Sequence, residues 1–124
     1  MSVVVYHYKG CSTCRKARKF IEKVEQEAVF IDLKDSPPDA ERLAALHAAS
    51  GLPVKRFFNT SGQSYRNGGF KDRLAGMTDT DAHAALAADG MLIKRPILVV
   101  DDCTVKVGFR EAEWRDALGL GASA

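Results

Sequence analysis

Between Ser2 and Leu33 the hydrophobic pattern changes period twice, and this restricts the fold more than any other feature of the chain. Ser2 to Tyr8 is a short β-branched and aromatic run that reads as a buried strand, broken by Gly10. From about Ser12 to Glu27, Ala17, Phe20, Ile21 and Val24 recur at helical spacing on one face. Arg15, Lys16, Lys19, Glu22 and Lys23 lie mostly elsewhere. Ala28 to Leu33 reads as a second strand. A strand, an amphipathic helix and another strand make a β-α-β unit, which favours parallel strands joined by a right-handed crossover.

Ser36-Pro37-Pro38-Asp39 then stops one element and starts the next. Asp39 is placed to cap a helix running to about Ser50, closed by Gly51, with Leu43, Leu46 and the intervening alanines on its apolar side. Leu52 to Phe58 reads as one or two further helical turns. Asn59 to Gly69, rich in Gly, Ser and Asn, reads as a loop. Thr78 or Asp79 begins an alanine-rich helix that ends near Asp89-Gly90. Pro96 to Asp101 is a strand, Asp101-Asp102 a turn, and Cys103 to Val107 the returning strand of a hairpin ended by Gly108. Glu111 to Leu118 is a last helix, with Glu111 and Glu113 near its positive end and Trp114 as its core anchor. The order is β-α-β, a helical block over about 37–93, then β-β-α. This predicts an α/β chain with a thioredoxin-like four-stranded mixed sheet and a helical insertion. One domain covers 1–118, and 119–124 is a loose tail.

A chain of 124 residues suits a single core, and its 46% apolar and 27% charged residues suit a globular protein. A net charge of +2 is too weak for nucleic-acid binding by bulk electrostatics, so no direct nucleic-acid contact is expected. No apolar run is long enough to span a membrane. Met1 to Tyr8 is too short for a signal peptide and lacks a basic leader. A cytoplasmic location is therefore expected. Thiols are mostly reduced there, so three cysteines do not read as a disulfide framework. Cys11-Ser12-Thr13-Cys14 then reads as redox-active or metal-binding. Zinc takes about four ligands, and Cys103 with three scattered histidines supplies them poorly, so neither a metal nor a bound cofactor is expected.

The thiolate is the reactive form of cysteine, so a thiol site must lower a pKa. Cys11 falls just after a strand and just before a helix, where unpaired N–H groups and the helix dipole favour an anion. Lys9, Arg15 and Lys16 add positive charge nearby. Cys14, in the first helical turn, can reach back to resolve a mixed disulfide. Cys103, in a predicted strand, reads as core packing. Lys94-Arg95-Pro96 precedes an apolar strand. Pro96 is the candidate for the cis-proline that thioredoxin-like folds place beside the cysteine motif, and Arg95 would then point near Cys11. A guanidinium there suits an oxyanion, a carboxylate or a thiolate, although a solvated strand entrance explains Lys94 and Arg95 equally well. Gly68-Gly69 lacks the context of a phosphate loop. His47 and His83, on predicted surface helices, read as structural or exposed. His7 alternates within the first strand near Cys11, and a role in tuning the thiol is open there but not favoured.

Tyr6-His7-Tyr8-Lys9-Gly10-Cys11-Ser12-Thr13-Cys14-Arg15-Lys16-Ala17 resembles the opening of the ArsC/Spx family. Arg95-Pro96-Ile97-Leu98-Val99 resembles that family's Arg-Pro-Ile strand, and Val107-Gly108-Phe109-Arg110-Glu111-Ala112-Glu113-Trp114 its closing helix. Glutaredoxin-linked arsenate reductases of this family use one cysteine against arsenate, glutathione as reductant, and three arginines to bind the oxyanion. The resemblance implies Cys11 as nucleophile, Cys14 as resolving cysteine, and Arg95 as an anion-binding residue. Asn59 and Lys106-Val107-Gly108 stand where the other two arginines belong. Lys106 keeps a charge but lacks the planar fork, and Arg56 or Arg66 are candidate substitutes. Two activities follow from the resemblance. One is a thiol oxidoreductase that draws on glutathione, glutaredoxin or a thioredoxin system. The other is a redox-switched regulator of the Spx type that binds the RNA polymerase α-subunit.

Overall fold

The computed structural model describes residues 1–121. In chain order the elements are β1 (Val3–His7), α1 (Ser12–Lys23), β2 (Val29–Asp32), α2 (Ala40–Ser50), α3 (Gln63–Asn67), α4 (Phe70–Arg73), α5 (Asp79–Ala88), β3 (Ile97–Val100), β4 (Thr104–Val107) and α6 (Glu111–Ala117). They fall into two compact units, Met1–Asp32 with the chain from Arg95 onward, and Leu33–Lys94. Among the described residues no helix is long and apolar enough to cross a membrane.

In the first unit the sheet order is β2-β1-β3-β4. β1 and β2 are parallel and joined through α1, whereas β1–β3 and β3–β4 are antiparallel. This is the thioredoxin-like mixed sheet. The period-two alternation of β1 and β3 puts Val3, Val5, Leu98 and Val100 against Ala17, Phe20 and Ile21 of α1 and against Trp114 and Leu118. Trp114 is fully buried, and its indole N–H donates to the Gly108 carbonyl at 2.9 Å. The register sets Ile97 opposite both Tyr6 and Val107. The exit of β1, the entry of β3 and the exit of β4 therefore share one sheet end, and both the Cys11 loop and Arg95-Pro96 extend from it.

Two local features depart from the sequence reading. α1 stops at Lys23 rather than near Glu27. Glu25 enters the left-handed region at φ 56°, its N–H donates to Glu22, and the Gln26 N–H donates to Ile21. This is a Schellman closure with a glutamate where glycine is usual. Second, Cys103 is exposed and belongs to the turn, not to a buried strand. Asp101 and Asp102 take φ 51° and 58°, and the Cys103 N–H closes on the Val100 carbonyl. Such a two-residue type I′ loop uses Cys103 as its closing residue, so β4 begins one residue later. After α6, the Gly119 and Leu120 N–H groups donate back to the Asp116 and Arg115 carbonyls and close the helix. Residues 122–124 lie outside the described residues.

In the second unit Asp39 caps α2 by accepting the Arg42 N–H at 2.7 Å, and Gly51 ends it at φ 69°. Thr78 caps α5 in the same way through Asp81. The stretch expected as a loop from Asn59 to Gly69 contains α3. Tyr65 drives this turn: it is buried, stacks on Phe70 and meets Phe58 edge-on. At Gly90 an added Cβ would stand 1.7 Å from the Leu33 carbonyl oxygen, so only glycine fits that approach. α2 packs on α5, where His47 Nδ1 and His83 Nε2 are 3.0 Å apart. Of the two readings open for His83, structural or exposed, the structural one holds: it is 9% exposed.

Candidate active site

The loop between β1 and α1 is built by short-range geometry. The Cys11 N–H donates to the Tyr8 carbonyl at 3.0 Å and turns the chain back toward the sheet end. At Gly10 a Cβ would fall 2.6 Å from the Tyr8 ring, so glycine lets the ring lie close against the loop. Cys11 is the N-cap of α1 in extended conformation, and its sulfur takes the role usually filled by Ser or Asp: the Cys14 N–H points at Cys11 Sγ across 3.4 Å. An acceptor at this place faces the unpaired N–H groups of the first turn, so a thiolate is favoured there over a thiol. The Arg15 guanidinium is tied to the Lys9 carbonyl at 3.3 Å and braces the loop from outside.

Arg95 comes from the other side of the site, on the residue before β3. The Arg95–Pro96 peptide is cis. The Pro96 carbonyl accepts the Gly108 N–H at 2.8 Å, which pins this segment to the exit of β4. The guanidinium lies 5.3 Å from the centre of the Tyr8 ring. Tyr8 thus supplies both the turn carbonyl for Cys11 and the face on which Arg95 rests, a cation–π contact. Sequence reasoning missed it. The available signal was the pairing of an aromatic with a glycine two residues later, directly before the cysteine.

The two thiols lie in opposite electrostatic settings. At Cys11 partial burial pushes the pKa up, but the hydrogen bonds from the Cys14 main chain, the Cys14 side chain and Arg95, with the Arg95 charge, outweigh it and hold the thiol below its ordinary value. Cys14 is only 2% exposed, and burial, then the adjacent Cys11, push it up to about 12 despite a hydrogen bond from the Tyr8 main chain. Such a pair can present one nucleophilic sulfur and hold a second in reserve. Both are free thiols.

The other nominated residues are placed unequally. Cys11, Cys14, Arg95 and Pro96 gather at the sheet end. Lys9 and Arg15 are exposed on the loop and its helix. Lys106 pairs with Leu98, one register step inward from the Ile97–Val107 pair that marks this end. The groups that lower the Cys11 pKa are Cys14 and Arg95. His7 turns its ring edge-on to Phe30 of β2, where burial and Arg18 lower its pKa while Asp32 opposes them. Asn59, Arg56 and Arg66 belong to the second unit. Among the described residues no group of three or more His, Cys, Asp or Glu is arranged to hold a metal ion.

Residues 6–117 match the sequence pattern of the ArsC family. The chain belongs to the ArsC family. It is 45% identical over 116 residues to the uncharacterized protein YusI of Bacillus subtilis (strain 168), a match covering 94% of this chain and 98% of YusI. It is 28% identical over 99 residues to an arsenate reductase of Rhizobium meliloti (strain 1021), covering 80% of this chain and 69% of that protein. A crystal structure of an ArsC family related protein from Bacteroides fragilis superposes with a TM-score of 0.90 at 39% identity, over 94% of this chain and 98% of that one. Membership in this family supports a thiol-dependent, oxidoreductase-like function.

Proposed function

We propose that this ArsC family chain is a thiol oxidoreductase in which Cys11 attacks, Cys14 resolves and Arg95 holds an anionic substrate or the departing thiolate. The observation that carries the reading is Cys11 as the N-cap of α1, with the Cys14 N–H and Arg95 both directed at its sulfur. With a disulfide substrate, the Cys11 thiolate forms a bond to one sulfur and the other leaves as thiolate. Cys14 then loses its proton and attacks Cys11 Sγ, which expels the second substrate sulfur. The substrate gains two electrons, and the protein is left with a Cys11–Cys14 disulfide. A dithiol protein or two molecules of a small thiol such as glutathione return it to the starting state.

The high pKa of Cys14 fits its place as the second sulfur. After burial, its main cause is the charge and hydrogen bonding of Cys11. Once Cys11 is held in a mixed disulfide, that anion is gone and Cys14 ionises more readily. The same Cys11 and Arg95 also suit a tetrahedral oxyanion such as arsenate, in line with the arsenate reductase among the relatives.

The test is NADPH oxidation with glutathione, glutathione reductase and glutaredoxin, run with arsenate and, separately, with a small disulfide. Turnover with at least one substrate, lost in Cys11→Ser, is expected. A folded protein inactive with both substrates, or a Cys11→Ser protein with full turnover, would sink the proposal.

A further inference from the structure

The second unit carries a cationic hollow of its own. Lys55 and Arg56 lie on the helical turn Val54–Phe57. Phe58 and Ile93 form an antiparallel bridge, the Lys94 N–H donates to the Phe57 carbonyl at 2.8 Å, and the Asn59 N–H donates to the Leu92 carbonyl at 2.8 Å. These main-chain ties hold Lys94 beside the turn that carries the other two cations. Lys55, Arg56 and Lys94, with Thr60, Pro53 and Phe58, line a hollow of about 310 Å³. No carboxylate is among its lining residues. Backbone pairing therefore gathers three exposed like charges, and with no carboxylate among the described residues lining the hollow, they attract an entering anion.

We infer that this hollow is a binding site for a tetrahedral oxyanion group, either free or carried as a phosphoryl group on an organic molecule. The donor set favours this class over a carboxylate. Arg56 offers a planar fork to two oxygens, two lysines act as point charges on the others, and the Thr60 hydroxyl adds a donor. Three positive charges are better matched to a dianion than to a monoanion.

The inference does not depend on Cys11, and its test removes Cys11 from the question. The full chain bearing Cys11→Ser and Arg95→Gln is titrated with inorganic phosphate at fixed ionic strength, and amide shifts are followed by NMR. Saturable shifts centred on the hollow residues are expected, weakened about tenfold by Arg56→Gln or Lys94→Gln with the rest of the spectrum retained. Phenyl phosphate provides the second arm: tighter binding than phosphate points to a carried phosphoryl group, and binding of phosphate alone to a free oxyanion. Shifts that do not saturate, that chloride or acetate reproduce, or that persist in both variants would overturn it.

Discussion

Cys11 and Cys14 stand one helical turn apart, yet their surroundings push their acidities in opposite directions. Burial raises both; at Cys11 the Cys14 hydrogen bonds and Arg95 outweigh it, whereas at the more deeply buried Cys14 burial prevails, aided by Cys11 and only partly offset by the Tyr8 main chain and Arg95. The motif and its position before a helix were legible in the sequence because the cap geometry follows from local order alone. Tyr8 was not, since its contact with Arg95 joins residues from opposite ends of the first unit. Arg95→Gln is predicted to raise the Cys11 pKa. The thiolate fraction near neutral pH then falls, and the profile of alkylation by iodoacetamide moves to higher pH. A pH–rate profile of Cys11 alkylation checks this, and an unchanged profile would show that Arg95 does not act on the thiol.

Helices and strands were legible where their hydrophobic period ran unbroken, as in β1, β3 and the cap-bounded α2. They were misread where one residue decided the outcome against its type. α3 exists because Tyr65 is buried within a polar stretch, and α1 ends early because Glu25 adopts a conformation that favours glycine. That strain makes a prediction. A non-glycine residue in the left-handed region costs about 1–2 kcal/mol, and glycine's extra chain entropy offsets part of the relief. Glu25→Gly should therefore stabilise the protein by up to about 1 kcal/mol in urea unfolding.

The contact of α2 with α5 makes another prediction. Burial, then His47, depress the His83 pKa, while Asp79 opposes them. The unfolded chain therefore binds a proton more readily than the folded one, so this contribution is fully present above the ordinary histidine pKa and is lost as pH falls from there through the lower folded pKa. His83→Gln should flatten the fall in stability below about pH 6.5. A slope equal to that of the parent would show that this contact does not sense protons.

The first unit is assembled from both ends of the chain, and the second is the intervening segment Leu33–Lys94. The order β-α-β, helical block, β-β-α carried this layout in the sequence, because a parallel pair followed much later by a hairpin has few ways to form one sheet. Whether a given cysteine faced the core or solvent was not carried at that level. Cys103 depended on the loop type between β3 and β4. The molecule consequently presents an exposed Cys103 thiol besides the Cys11–Cys14 pair, and exposure alone would favour Cys103 in any reaction with a disulfide. The proposed chemistry assigns the reaction to Cys11 instead. The decisive measurement is peptide mapping by mass spectrometry after treatment with one equivalent of a small disulfide. The wild type should yield a Cys11–Cys14 disulfide and Cys14→Ser a stable mixed disulfide on Cys11. Adducts found chiefly on Cys103 or Cys14, with Cys11 left free, would contradict it.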